Sequence, residues 1–443
     1  MITGKRILFF LALCFGFQSA VAQSNPELSL KDAIAIGLEN NFNILIARNL
    51  QEVVEINAVP GQAGFLPVLN IVTGKTFSRA NVEQQFLNDP QPRRLDNAGS
   101  NNFNVAAQLN WVVFDGLRMF TNLERLRELE AEGQENTKVA VENTVAAIAN
   151  TFYLIALEEA RREVLRRTIE ISKQRLQISK DKYELGKASK LEFLAAQVDY
   201  NADSTALINQ EVTIFIGKAT LNELLGRDPA IDFRVAFEID VTENLQLEAL
   251  LNSLNVKNPQ LLAAQRRANA AYLEIRATQA ERYPTITLNS AYSYSKLNSD
   301  FGFLISNQNI GFNYGASAFV NVFNGGNLNR RIQTAKIQQM NADLSLEQLR
   351  LQLSADIKRA YVTHQKNITL MNLENFNRDI AKENEEIALE RYRLGVSNAL
   401  ELREAQRNAV DAETRALVAA FNAKTSEIEL LRLSGEILGY LEQ

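Results

Sequence analysis

In 443 residues the chain carries one cysteine, one histidine, one tryptophan and four methionines. Cys14 lies in the first 22 residues, so the remainder has no disulfide, no thiol nucleophile and no cysteine after a cleavage site to carry a lipid. A lone histidine, His364, cannot build a multi-histidine metal centre. It falls on the stripe Ile357, Tyr361, His364, Ile368, Met371, so a packing or hydrogen-bonding role is expected. Four methionines, Met1 among them, give no sign of a Cu(I) relay. The carboxylates are spread beside Lys and Arg at helical spacing, as on solvated faces, and no acid/base pair or glycine-rich phosphate loop stands out. An enzyme is therefore not expected, nor a bound cofactor or metal.

Charge of one sign is also missing. The formal net charge is −5, and about −7 without Lys5 and Arg6; with no basic patch, nucleic acid is not an expected partner. After residue 22 no apolar run approaches the roughly 18 to 20 residues of a spanning helix, so membrane insertion would have to use strands.

What is present begins with a secretory signal peptide over residues 1–22: Lys5 and Arg6, an apolar run from Ile7 to Phe17, and Ala20-Val21-Ala22 before Gln23. The rest is said twice. YELGKASKLEFLAAQ at Tyr183 to Gln197 returns as YRLGVSNALELREAQ at Tyr392 to Gln406. In each copy a glycine, Gly186 or Gly395, suits the left-handed close of a helix. Ser189 with Glu192, and Asn398 with Glu401, suit an N-cap with its capping-box partner. Each is the tip of an αα-hairpin, and a proline-free run before the first implies a helix of about 66 residues, roughly 100 Å long. Its stripe Val141, Val145, Ile148, Phe152, Ile155 has the three- and four-residue steps of a packing seam.

Between the helical stretches the period changes to two. Phe103, Val105, Ala107, Leu109, Trp111 and Val113 alternate with mostly polar neighbours, which marks a strand with one apolar face. Four such strands are expected, in pairs over 66–78 with 102–114 and 284–296 with 312–323. Loops are expected over Arg79 to Asn101 and Asn298 to Asn309. The halves are a first repeat over 23–228 and a second over 245–443, joined by a linker, 229–244, with Ile231 to Val241 a short strand or linker outside the rod. Their offset is about 217 before the strands and about 209 from Phe114-Asp115-Gly116 and Phe323-Asn324-Gly325 onward. Two hairpins in one chain leave open sheet edges, which oligomer closure removes; three copies supply about 12 strands, enough for a membrane barrel. Trp111, Tyr292, Tyr294 and Tyr314 suit a membrane interface as well as a sheet.

Over its whole mature length the chain resembles the TolC family of outer-membrane efflux proteins, in the tandem duplication, the strand pair of each half, the F-[DN]-G junctions and the two Y-x-L-G-x-x-[SN]-x-x-E tips. The resemblance implies a mainly α fold with a small β part: a homotrimer whose long hairpins form an α-barrel tunnel in the periplasm under a 12-stranded barrel in outer-membrane lipid. It also implies export together with an inner-membrane transporter and a periplasmic adaptor. The adaptor would dock on the tips at Tyr183, Leu185, Gly186 and Ser189, and at Tyr392, Leu394, Gly395 and Asn398. Acidic residues aligned with the family's closed aperture, Glu401 and Glu404, would form a periplasmic gate with Glu192 and Tyr392 as partners. Ser397 stands where the family can place a bracing arginine, and both acids are Glu where aspartate is common. A periplasmic coiled-coil scaffold or adaptor protein would share the signal peptide and hairpins, but has no use for a lipid-compatible strand face.

Overall fold

The structure, a computed structural model, describes residues 27–441 apart from 88, 236–238 and 303. The expected signal peptide and the start at Gln23 lie outside the described residues. The opening run forms two helices as its periodicity implies. Ser29 caps α1 (Leu30–Asn40), and Asn41 ends α1 while capping α2 (Phe42–Asn57), its Oδ1 accepting the Asn43 N–H at 2.9 Å. A short α3 (Pro60–Ala63) leads into the strands.

The first hairpin is longer than its alternation predicts. β1 (Val68–Phe86) and β2 (Asp89–Phe114) pair through most of the stretch expected to be a loop, from Val68↔Asn110 to Phe86↔Asp89. Backbone ladder bonds need no apolar periodicity, so a polar ribbon leaves no hydrophobic signature. In the second hairpin β3 (Thr285–Ser299) and β4 (Ser306–Phe319) also run further toward the turn than expected, while β4 stops short of residue 323. The last pair there is Thr285↔Phe319; the residue before it is Pro284, which has no N–H to extend the ladder. The four strands form one antiparallel sheet in the order β1-β2-β3-β4, with β2 and β3 joining the repeats. About eight extra residues in the first half thus lengthen a ribbon that rises beyond the other hairpin.

At the foot of β2 the chain turns into α4 (Arg118–Glu184) through Gly116 at φ 72°. A Cβ there would come within 2.5 Å of the Ala280 carbonyl oxygen, so the close approach requires glycine. α4 has 67 residues, as does α8 (Asn327–Arg393), and each spans roughly 100 Å. They return as α5 (Lys190–Leu224) and α9 (Ala399–Ser434). α6 (Leu247–Lys257) and α7 (Pro259–Ala280) precede β3, and α10 (Ile437–Leu441) ends the described chain.

The duplication extends to individual bonds. Asn41 donates from Nδ2 to the Leu224 carbonyl at 2.7 Å, and Asn258, at the N-cap of α7, to that of Leu433 at 2.9 Å. α4 packs against α2 and α7 toward the sheet and against α5 and α9 toward the tips. Val145, Ile148, Phe152 and Ile155 are buried in the largest core cluster, so the expected seam forms. One expectation fails here: an 18-residue window of α4 has a mean hydropathy of 1.3, apolar enough for a span, and 56% of it is buried within this protomer. It is the core of the helical body, since α1, α5 and α10 all pack on α4.

The linker is held to the rod. Phe233 and Val235 join the main core, Arg234 bridges Glu27 in parallel, and Lys424 on α9 donates to the Asp240 carbonyl at 2.6 Å. His364 is fully buried; its Nε2 donates to the Thr242 carbonyl at 3.1 Å and its Nδ1 lies 3.1 Å from Ser426 Oγ. The histidine is a structural peg, as its place on the stripe implies.

Candidate functional site

Both tips close by the same backbone device. After α4, the Lys187 N–H bonds the Lys182 carbonyl at 2.7 Å and the Gly186 N–H that of Tyr183 at 2.9 Å, with Gly186 at φ 67°. After α8, Val396 bonds Arg391 at 3.0 Å and Gly395 bonds Tyr392 at 3.1 Å, with Gly395 at φ 75°. These are Schellman closures, which satisfy the last helical carbonyls. The next helices start on Ser189, whose Oγ accepts from the Glu192 N–H at 3.2 Å, and on Asn398, whose Oδ1 accepts from the Glu401 N–H at 2.9 Å.

Half of each capping box forms; the glutamate side chains go elsewhere. Glu192 Oε1 accepts from the Tyr392 hydroxyl at 3.3 Å, and Glu401 pairs with Arg391 Nε at 3.1 Å. The fold thereby joins Glu192 and Tyr392 across 200 residues. Tyr392 is fully buried, its hydroxyl 3.0 Å from Ser179 Oγ and its ring 4.1 Å below Lys182 Nζ. Burial first, and the Glu192 carboxylate next to it, push its phenol up, against the lowering effect of the Ser179 bond. Glu404, one turn on from Glu401, is exposed. Arg391 lies near one of the expected gate carboxylates, where Ser397 has no charge to offer.

The outer skin of the tips is apolar. Leu185, Leu394 and Val396 are 70%, 75% and 65% exposed, joined by Leu191 and Leu400. Tyr183 stacks on Phe193 with ring centroids 6.0 Å apart and planes 6° from parallel. Of the expected docking residues, Tyr183, Leu185 and Leu394 thus present surface and Gly186, Gly395, Ser189 and Asn398 shape the turns, whereas Tyr392 is fully buried and offers a partner no contact.

Just behind the tips is a polar cluster that pattern reading missed. Arg175, 2% exposed on α4, donates to Asp199 Oδ2 on α5 at 2.5 Å. Arg403 on α9 grips Asp203 through Nη1 and Nη2 at 3.1 and 3.2 Å, and Ser172 donates to the same carboxylate at 2.5 Å. The network ties the first hairpin to the second. Its signal lay in the sequence: Thr168, Ser172, Arg175 and Ser179 continue the four- and three-residue steps of the α4 seam in polar residues, opposite Asp199 and Asp203 at i,i+4. A search for apolar stripes passes over it.

The sheet separates its two faces. On one, Ile71, Val105, Leu109, Tyr292, Phe312 and Tyr314 make an apolar and aromatic band. The other carries Asn70, Asn104, Gln108, Asn110, Asn289 and Asn313, with no Asp, Glu, Lys or Arg where all four strands are paired. The long edges of β1 and β4 have no partner strand among the described residues. α2, α5 and α8 leave apolar stripes uncovered, such as Leu191, Leu194 and Val198, then Ile208, Val212 and Phe215 on α5.

The family model of outer membrane efflux proteins matches residues 34–227 and 250–436, one segment per repeat. Among curated proteins, the probable efflux pump outer membrane protein TtgC and the antibiotic efflux pump outer membrane protein ArpC, both of Pseudomonas putida, are 25% identical over 228 residues, 51% of this chain and 46% of each relative. The chain spans about half the length of these curated relatives. Among solved structures, the Campylobacter jejuni CmeC outer membrane channel superposes with a TM-score of 0.76 at 14% identity, over 99% of this chain and 94% of that one. The outer-membrane channel OprN gives 0.75 at 17% identity over 92% and 90%. VceC of Vibrio cholerae gives 0.74 at 18% identity over 92% and 96%. These likenesses bear on the fold.

Proposed function

The chain belongs to the outer membrane efflux protein family, and on that premise we propose that three copies assemble into an exit duct through the outer membrane, worked by an inner-membrane transporter and a periplasmic adaptor. The observation that carries the reading is the four-stranded sheet with an apolar face, an uncharged polar face and two open edges. Open edges are an aggregation liability unless closed, and three copies joined β4 to β1 give 12 strands with no edge left. Apolar side chains would then meet lipid and amides would line the lumen. The bare stripes of α2 and α5 at one flank and α8 at the other would close the tunnel in the same operation.

In this assembly the chain supplies a path, a gate and a docking surface, and no covalent step. Glu401 and Glu404 from three protomers put about six carboxylates round the periplasmic aperture, which repel one another and attract cations. The Tyr392–Glu192 bond and the Arg175–Asp199–Asp203–Arg403 network hold the two hairpins of each protomer together behind it. Leu185, Leu394 and Val396 offer the adaptor apolar contact. Purified mature protein in detergent should run as a heat-modifiable trimer and conduct in planar bilayers, and a deletion strain should lose export that the wild-type gene restores. A detergent-independent monomer recovered from the soluble periplasm would overturn the reading.

A further inference from the structure

The sheet register puts two lysines at one level. Lys75 on β1 pairs with Phe103 on β2, which pairs with Lys296 on β3, so the lysines flank a phenylalanine on one face. Their strands lie about 10 Å apart, two strand spacings. This is the apolar face: the next rows toward the helices are Thr73, Val105, Tyr294 and Ile310, then Ile71, Ala107, Tyr292 and Phe312. The next row toward the hairpin turns is Phe77, Asn101, Asn298 and Ser306. The lysines therefore stand where the apolar band stops, at the end of the sheet remote from the helices.

Both ammonium groups are exposed, and neither has an acidic partner within ion-pair distance among the described residues. Lys75 Nζ sits 4.9 Å from the Phe77 ring centre, and Phe103 meets Tyr294 edge-on at 6.2 Å. Asp300, one residue past the end of β3, accepts the Gly99 N–H at 3.1 Å. Arg79, four residues beyond Lys75 on the same face, adds a third positive charge. Lysine often guards an open strand. Lys296, however, lies on β3, which is paired on both sides, so edge protection does not account for it.

We propose that Lys75 and Lys296 bind the phosphate groups of the outer-leaflet glycolipid, with Phe103 and Tyr294 packing against its acyl chains. The proposal rests on the duct reading above, which turns this end of the sheet outward. An ammonium at the edge of the hydrocarbon is solvated best by an anion at headgroup depth, and a stem lying on aromatic rings brings it there. A pair from strands about 10 Å apart can share one phosphate across Phe103. Three protomers would repeat the clasp round the barrel and fix both its depth and its rotation in the leaflet.

The test is native mass spectrometry of the purified trimer titrated with bis-phosphorylated lipid A or with the same lipid stripped of phosphate. The expected result is that wild type favours the phosphorylated form and that Lys75→Gln/Lys296→Gln lowers that affinity roughly tenfold or more. Salt should weaken the preference and Lys75→Arg/Lys296→Arg should restore it. Equal binding of the two lipids by wild type overturns the proposal without any variant. A double variant within twofold of wild type also overturns it, and equal binding of phosphatidylglycerol overturns the glycolipid assignment. Leu87, fully exposed at the hairpin turn, tests the topology separately: Leu87→Cys should react on intact cells with an impermeant maleimide. A failure there would refute the outward orientation, whereas the lipid counts refute the lysines alone.

Discussion

Replacing Asp199 by alanine should loosen the tip more than any other single truncation in the cluster. Arg175 is 2% exposed, Asp199 is its hydrogen-bonded partner at 2.5 Å, and its Nε has no partner. Removing one member of a buried ion pair costs about 3–5 kcal/mol, mostly because the other charge is left uncompensated. Asp199 is itself 32% exposed, so water can enter the vacated space and about 3 kcal/mol is the appropriate end of that range. At about 1.4 kcal/mol per tenfold, local opening should become on the order of a hundredfold more frequent. Hydrogen exchange on the assembled protein reads this directly: amides of 172–182 and 196–203 should exchange faster by that factor, while those round Leu254 and Ile357 stay unchanged. Arg175→Met should cost less, because Asp199 keeps Arg403 Nε at 3.7 Å. Arg175→Met/Asp199→Leu should approach wild type, since an apolar pair of similar size incurs no desolvation. Exchange within threefold of wild type in Asp199→Ala, or a double variant as loose as the single, would refute the buried-charge account.

Glu142, on α4, is pushed up to about 7, chiefly by burial, with Arg432 pulling the other way. Its folded value lies above its unfolded one, so its share of stability is full below about pH 4.5 and is lost as pH rises through about 7. Thermal melts at pH 5 and 8 should differ less in Glu142→Gln than in wild type, and an unchanged difference would argue against it. Gly186 has a positive φ but open space where a Cβ would lie, so Gly186→Val should cost only the backbone term of about 1–2 kcal/mol, with Gly186→Asn near wild type in the same melts. Glu401→Gln/Glu404→Gln should reduce cation selectivity and divalent block in planar bilayers while trimers persist; unaltered selectivity would remove the acidic ring.

The order of elements was legible because each long element has a period of its own. The helix ends at Gly186 and Gly395 and the caps at Ser189, Asn398 and Asn41 are local devices, so a short window of sequence contains them whole. The ribbon of β1 and β2 was not legible, because Arg79 to Asn101 is held by ladder bonds between polar residues that bury no face. At the tips, Glu192 and Tyr392 were expected as partners of Glu401 and Glu404, whereas in the fold they bond each other. The Arg175–Asp199–Asp203–Arg403 cluster depends on which helix neighbours which, and each member alone reads as a surface charge. Glu401 looked like a complete capping box; Arg391, ten residues away on the preceding helix, takes its side chain instead.

The two long helices have 67 residues each and their return helices 35 and 36, a near-equality that constrains how such a chain can change. Both tips belong to one rim, and the bonds between them, Tyr392 to Glu192 and Arg403 to Asp203, tolerate tenths of an ångström. Deleting seven residues from each of α4 and α5 would withdraw one tip by about 10 Å and leave its neighbour reaching into empty solvent. Length is therefore heritable only in matched steps, made in both halves and in whole turns of the seam. The depth to which the protein reaches into the periplasm behaves as a graduated scale with coarse divisions, and divergence between the halves is confined to the sheet end, where the first hairpin has outgrown the second.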